Sequence, residues 1–350
     1  MPTDTKSELA AILNGAAIFP LDDRAFLRIT GSDATRWLNG MVTNSIQALA
    51  PGEGNYNFLL NAQGRIQGDC NIYREHGWPT SGDPSFLLET EASQIDTIEQ
   101  LLDKFIIMDD VELSRTLFLH HESLPPGTLK GLALTGPKAG EMLAKVMFEN
   151  FDEFLLIDPP APSSFVLGTH GGKTPGFVLT PSGRTDAFEI WSSTPDLDDA
   201  HSELKKLGAV DLSAETREAR RILSGTPRFG TDIRDKDLPQ ETNQTHALHF
   251  SKGCYLGQEI VGRIRSRGQV HRTFSGFRLT TLPATLPAPL TSDGKPAGEL
   301  TSAAVIPLSE GDAILALGYV RREALDRGQP LAYEGGSATP TDLPFRMTTS

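Results

Sequence analysis

The chain has 350 residues, 38% hydrophobic and 22% charged, with a formal net charge of −13. This length exceeds one ordinary core and predicts two or three domains, and the acidic balance argues against a nonspecific nucleic-acid binder or a protein of anionic membrane surfaces. The longest apolar runs are far short of a membrane span, the opening residues are polar rather than a signal sequence, and the only cysteines, Cys70 and Cys254, read as free thiols in a reducing cytoplasm.

In chain order, Glu8 to Leu13 reads as a short helix before a strand entry. Arg24 to Thr30 alternates as a strand, and Thr30-Gly31-Ser32-Asp33 turns into a helix with Ala34, Trp37, Leu38 and Met41 at helical spacing. Gly54 to Leu60 and Arg65 to Tyr73 are strands joined by the turn Asn61-Ala62-Gln63-Gly64. On the second, Gln67, Asp69 and Asn71 share one pleat face, which marks either a wet cavity or the solvent side of a sheet. Phe86 to Glu89 is a further strand, Ala92 to Phe105 an amphipathic helix and Val111 to Phe118 a strand. Leu132 to Thr135, then Gly136 and Ala139 to Leu143, repeat the strand, Thr-Gly turn and helix of Leu27 to Leu38. The echo predicts one subdomain built from both flanks of another.

Phe165 to Gly168, Phe177 to Leu179 and Ala187 to Trp191 read as strands, and Pro159 to Pro162 as a stiff connector. Pro195 to Leu207 and Ala214 to Leu223 are helices, the latter bearing Arg217, Arg220 and Arg221. Gly225 to Asn243 is a long irregular segment of the kind that usually carries function. From His271 onward strands dominate, which predicts a small all-β domain and, overall, an α+β chain with a terminal β domain.

Between these lies Ser251-Lys252-Gly253-Cys254-Tyr255-Leu256-Gly257-Gln258-Glu259, continuing to Gly268. It reads as a loop entering a helix with Cys254 near the first turn, where free N–H groups, the helix dipole and Lys252 favour a thiolate. A small buried hydrophobe is the alternative reading of the same cysteine. Gln258 is expected on the helix face of the thiol, and Glu259 with Arg263 as an i,i+4 pair. Gly257 and Gly262 within the helix imply close approach of another backbone or a ligand. His246, His249 and Cys254 lack a closed-site spacing and a fourth ligand, so no metal is expected.

Lys252-Gly253-Cys254-Tyr255-Leu256-Gly257-Gln258-Glu259 resembles the signature of the YgfZ family of folate-binding proteins, relatives of the glycine-cleavage T-protein. The likeness extends to Gly225 through Ile233, Leu238 through Asn243, and Gly31 through Ala34. It implies ferredoxin-like subdomains interleaved around a folate cleft over residues 1–270, with a β-barrel over 271–350. It further implies tetrahydrofolate as cofactor, iron–sulfur client or assembly proteins as partners, and a role in iron–sulfur cluster assembly or repair, with an aminomethyltransferase as the alternative. Cys254 and Asp69 become the candidate chemical residues, and Lys252, Gly253, Tyr255, Gln258, Glu259, Arg263 and Glu241 the candidate folate contacts. Two departures stand out. The T-protein's pair of acids reads Gly68-Asp69 here, and the Glu expected on the pterin is Leu223, a loss of about 1.5–3 kcal/mol of charge-assisted hydrogen bonding. Glu241 is either the substitute carboxylate or a solvated loop acid. Arg263, Arg265, Arg267 and Arg272 either receive the glutamate tail or solvate a surface.

Overall fold

A computed structural model describes residues 5–345 apart from 76–81, 120–121, 125–126, 148–163, 171–173, 181–186, 193, 269, 309–310 and 329. The Pro159 to Pro162 connector lies outside the described residues. Helices are α1 (Thr5–Asn14), α2 (Ala34–Met41), α3 (Ile95–Asp103), α4 (Ala139–Met147), α5 (Thr194–Lys206), α6 (Ala214–Leu223), α7 (Gln258–Arg267) and α8 (Arg322–Asp326).

Two open sheets and a closed barrel are built from interleaved stretches of chain. The first sheet has the order β3-β4-β5-β2-β6, with β2 at Arg24–Thr30, β3 at Gly54–Leu60, β4 at Ile66–Arg74, β5 at Ser85–Glu91 and β6 at Glu112–Ser114. The second takes β1 (Ala17–Pro20), from ahead of the whole first sheet, and places it between β9 (Lys130–Thr135) and β13 (Val210–Asp211). Beyond β9 the order runs β12 (Ala187–Ser192), β11 (Thr174–Thr180) and β10 (Ser164–His170). The strand expected over Val111 to Phe118 is split, ending in β6 and resuming at β7 (Leu117–Leu119), which pairs with β8 (Glu122–Leu124).

The repeated Thr-Gly turns have one physical cause. Gly31 sits at φ +127° and Gly136 at φ +119°, and a Cβ would lie 2.1 Å from the Asp110 carbonyl oxygen at the first and 2.6 Å from that of Gly15 at the second. Only glycine lets each strand turn this sharply against neighbouring backbone and launch a helix. Each helix then seals one sheet: Leu27, Ile29 and Leu88 pack with Trp37 and Leu38, and Ile18, Leu134 and Ile190 with Met142 and Leu143.

Strand alternation sends the intervening residues to the opposite faces, and these faces meet. Tyr73 and Leu87 of the first sheet pack with Ala133, Phe177 and Trp191 of the second, and Phe26 meets Trp191 edge-on at 4.7 Å. The same alternation puts Arg24, Asp69, Asn71, Glu89 and Glu189 on the inner faces, so a polar region adjoins the apolar contact between the sheets.

The barrel closes in the order β14-β17-β16-β15-β18-β19, with β14 at Arg272–Leu279, β15 at Ala288–Ser292, β16 at Lys295–Leu308, β17 at Gly311–Arg321, β18 at Leu331–Tyr333 and β19 at Gly336–Thr341. It is fastened to the sheets by α6 and by Leu9 of α1, which share a core with Phe274, Leu317 and Tyr319. The long segment 225–243 is clamped by Asp232, fully buried, which accepts from Arg221 Nη1 at 2.6 Å, the Arg228 N–H at 3.0 Å, Ser302 Oγ at 2.8 Å and the Thr301 hydroxyl.

Candidate functional site

A cleft of about 1140 Å³ lies between the two sheets and α6. On its first-sheet wall, Asp69 accepts from the Tyr56 hydroxyl at 2.5 Å and from Gln94 Nε2 at 2.7 Å. Burial raises the Asp69 pKa from its ordinary value, against the pull of these two donors and the nearby charge of Arg24. Burial and the Asp69 charge hold Tyr56 well above the usual phenol value, so its hydroxyl stays a donor. Asp69 and Asn71 both line the cleft, so the polar face of β4 borders a cavity rather than open solvent.

Sequence reasoning missed the carboxylates beside them. Glu89 and Glu189, almost wholly buried, enter the cleft from opposite sheets, and Arg24 Nε lies 3.3 Å from Glu89 Oε1. Glu189 is pushed up to about 8, by burial first and then by the charge of Glu89. A usable signal was strand parity: Glu89 shares its face with Leu87, and Glu189 with Trp191. The two strands belong to different sheets, however, so only the tertiary fold brings the acids together.

The opposite wall is cationic. Arg217 and Arg220 of α6 stand over the Phe19 ring at 5.7 and 5.9 Å, Arg220 Nη2 donates to Thr135 Oγ1 at 2.8 Å, and both line the cleft. Glu218, the carboxylate this helix presents to the cleft, pairs with Arg221 and Arg228. Leu223, expected at a pterin-facing position, instead packs with Ile12, Leu343 and the barrel core, because its helical phase points it away from the cleft. Glu241 is likewise displaced from its expected role. It is buried, accepts from Arg272 Nη2 at 3.1 Å and the Leu238 N–H at 3.2 Å, and is absent from the cleft lining. Arg272 is consumed by Asp237, Glu241 and Glu299. Arg263 and Arg265 lie exposed on α7 outside the cleft, Arg265 stacking on Phe250 at 4.2 Å; the Arg267 side chain lies outside what is described.

The Cys254 loop forms a second locus. α7 begins only at Gln258, so Cys254 precedes the helix rather than sitting in its first turn, and it is exposed. The loop is fixed on three sides. Lys252 Nζ donates to the Val42 carbonyl at 2.7 Å and to that of Asn44, the Leu256 N–H donates to Gly40 O at 3.1 Å, and Tyr255 is buried with Phe58, Ile66 and Phe229. Burial without a carboxylate partner drives Lys252 down to about 7. Gln258 accepts from the Tyr255 N–H at 3.3 Å, closing the turn instead of flanking the thiol along a helix. Glu259 is exposed and, among the described residues, forms no ion pair with Arg263. Gly257 does mark a close approach, since at φ +81° its Cβ would lie 2.7 Å from Asn61 O, whereas Gly253 and Gly262 face open space. Tyr56 joins the two loci: it bonds Asp69 in the cleft, packs against the cluster containing Tyr255, and stacks on His246 at 5.5 Å. Cys70, the other thiol, is buried, and burial holds its pKa well above the ordinary value. Among the described residues no group of three His, Cys, Asp or Glu side chains is placed to hold a metal, and no helix is long and apolar enough to cross a membrane.

Two interleaved sheets enclosing a polar cleft, followed by a closed barrel, are the architecture of the glycine-cleavage T-protein. The aminomethyltransferase T of the glycine cleavage system from Bartonella henselae superposes with a TM-score of 0.74 at 21% identity, covering 99% of this chain and 90% of that one. The family model for the GCVT N-terminal domain matches residues 1–155. In sequence, a mitochondrial iron-sulfur cluster assembly factor IBA57 homolog from Aspergillus fumigatus is 30% identical over 269 residues, 72% of this chain and 55% of that protein. An aminomethyltransferase from Synechocystis is 25% identical over 333 residues, 94% of this chain and 84% of that one. The chain thus spans only about half the length of the IBA57 relative.

Proposed function

We propose that the protein is a tetrahydrofolate-binding accessory factor for iron–sulfur cluster assembly or repair, with Cys254 as the thiol that meets a client or assembly protein. The observation that carries this reading is the exposed Cys254 on a loop fastened by Lys252, Tyr255 and Leu256 outside the cleft. A thiol held rigidly at the surface is suited to another macromolecule, and a transferase working within the cleft gives it no task. Similarity to the IBA57 homologues supports the same role.

The cleft suits a folate by the chemistry of its walls. Asn71 Oδ1 and Glu189 Oε2 are buried acceptors without hydrogen-bond partners, matching the N–H edge of a pterin, and Arg217 and Arg220 offer guanidinium groups to the tail carboxylates. Folate, when bound, supplies a one-carbon or redox-active pterin carrier. The protein's own contribution is to bind and orient it and to hold a proton near Asp69. The reading extends to a soluble setting with iron–sulfur proteins as partners, without direct nucleic-acid contact.

A tetrahydrofolate-dependent aminomethyltransferase is the second reading, favoured by Asp69 lining the cleft beneath two hydrogen-bond donors. Calorimetric titration of tetrahydrofolate, turnover of an aminomethylated lipoyl-carrier protein, and rescue of iron–sulfur enzyme activity in a strain lacking the protein separate the two. Folate binding without turnover, together with failed rescue by Cys254→Ala, supports the accessory factor. Turnover that survives Cys254→Ala but is lost in Asp69→Asn overturns it.

A further inference from the structure

We propose that the exposed face of α7, together with the loop from His249 to Cys254, is the docking surface for a protein partner with an acidic patch, whose carboxylates pair with Arg263 and Arg265 as it meets Cys254. The inference rests on the reading of Cys254 as the thiol that meets another protein, and adds the chemistry of the partner's surface.

Helical phase lays this face out. At about 100° per residue, Val261 turns inward to the cluster of Tyr255 and Ile233, and Ile260 lies against Gly64. The other side carries Gly262 and Ser266, one turn apart and both exposed, with Arg263 and Arg265 exposed along its two borders. Neither guanidinium forms an ion pair among the described residues, although Arg265 stands over the ring of the exposed Phe250 at 4.2 Å. That stack folds the helix back along the loop that carries the thiol, so loop and helix present one surface. A glycine inside a helix is costly relative to alanine and needs a reason. At Gly262 none lies within the described chain, since an added Cβ would meet nothing within 4 Å, and the same holds for Gly253 beside the thiol. Small residues along the middle leave room for close approach by a second molecule. Arginine at both borders and an aromatic ring beside the loop are the side chains that dominate protein–protein contacts.

Charge selects the partner. The chain carries a net −13, yet α7 holds three arginines against one glutamate. Glu259 lies in the first turn, where the helix dipole favours an acid, and leaves the two exposed arginines beyond it uncompensated. A local positive face on a negative molecule is matched by an acidic patch of limited extent on another protein. A nucleic acid brings a long run of phosphates that the rest of the chain repels, and an anionic bilayer does the same.

The test measures how fast Cys254 of the full-length protein, without folate, is labelled by three pentapeptides: Glu-Glu-Cys-Glu-Glu, its glutamine counterpart and its lysine counterpart. Each peptide is activated as a 2-pyridyl disulfide. The Cys254 thiolate attacks the peptide sulfur, the new disulfide joins peptide to protein, and pyridine-2-thiolate leaves, takes up a proton and is followed as the thione by absorbance. Cys254→Ser gives the background. The net charge of the chain alone favours the lysine peptide, so the two expectations have opposite sign. At low salt the acidic peptide should label about tenfold faster than the glutamine peptide and the lysine peptide more slowly, with the differences gone near 1 M salt. The glutamine peptide reports the thiol itself, so the ratio of rates isolates recognition. Arg263→Gln with Arg265→Gln should bring the ratio to within about twofold of unity. Should losing the Phe250 stack disturb the loop, Arg263→Gln alone, which breaks no contact among the described residues, should still lower the ratio about threefold. No preference at low salt, preference for the lysine peptide, or an unchanged ratio in the folded variants overturns the proposal. Faster labelling by an oligothymidylate carrying the same 2-pyridyl disulfide also overturns it, in favour of a nucleic acid. Labelling uses the isolated protein, so a lost preference ends this docking face while the rescue assay with Cys254→Ala still decides the accessory role.

Discussion

Replacing Tyr56 with Phe isolates the hydrogen bond that sets the state of Asp69. The hydroxyl lies 2.5 Å from Asp69 Oδ2, and Phe keeps the ring that packs with Phe58 at 5.4 Å and stacks on His246. A hydrogen bond to a carboxylate is worth about 1.5–3 kcal/mol, so its loss should raise the Asp69 pKa by about 1–2 units. The direction is upward because burial already favours the protonated form, and Tyr56, Gln94 and Arg24 are what hold it down. Gln94 remains at 2.7 Å and limits the shift. The linkage follows from the raised value. The folded state binds the proton more tightly than the unfolded chain, so the destabilisation is felt as pH rises above the ordinary Asp range and fades at lower pH. Carboxyl 13C NMR titration of Asp69 in wild type and Tyr56→Phe reads this directly. A shift below about 0.3 units, or one downward, would show that Tyr56 does not govern the ionisation of Asp69 and would refute the reasoning.

Three other outcomes follow from the geometry. Lys252 titrates near 7 in the folded protein and near its ordinary value when unfolded, so the unfolded chain binds more protons in between; wild type should therefore gain stability from about pH 7 to 10 relative to Lys252→Met, and parallel melting-temperature profiles would contradict this. Asp232→Ala leaves Arg221 with its buried partner removed and should cost about 3–5 kcal/mol in urea unfolding, whereas a loss under about 1 kcal/mol would mean that the clamp on segment 225–243 is redundant. One thiol per chain should react rapidly with Ellman's reagent in native protein and the second only in denaturant; Cys254→Ser should abolish the fast phase, and survival of that phase would place the reactive thiol at Cys70.

Local patterning carried much of the architecture. Arg24 to Thr30, Gly54 to Leu60 and Ala214 to Leu223 form the elements their periodicity implies, with matching ends. The Thr-Gly echo was readable because the same steric problem, a strand turning against a carbonyl, has the same solution at Gly31 and Gly136. The site was less legible. Leu223 aligns with an expected carboxylate in sequence, but helical phase decides what faces the cleft, and that phase selects Glu218 and Arg217. Glu241 looked free in a polar loop, yet Arg272, some thirty residues away, buries it in an ion-pair network. The helix expected to cradle Cys254 starts later because Gly257, left-handed and pressed against Asn61, ends the preceding turn there. Glu89 and Glu189 meet only through sheet pairing, which no local window contains.

The insertion of β1 into the second sheet also dictates an order of events during folding. Ile18 pairs with Leu134 on one side and Asp211 on the other, so on a chain made from its N-terminus this early strand has no sheet partner until residues 130–135 and 210–211 have emerged. Closing such long loops costs entropy before any contact repays it, which makes formation of the second sheet the slow step and exposes β1 to stray pairing in the interval. The first sheet draws all its strands from residues 24 to 114 and can collapse alone, so the cleft comes into being last, when a strand from the beginning of the chain is finally enclosed by its two distant neighbours.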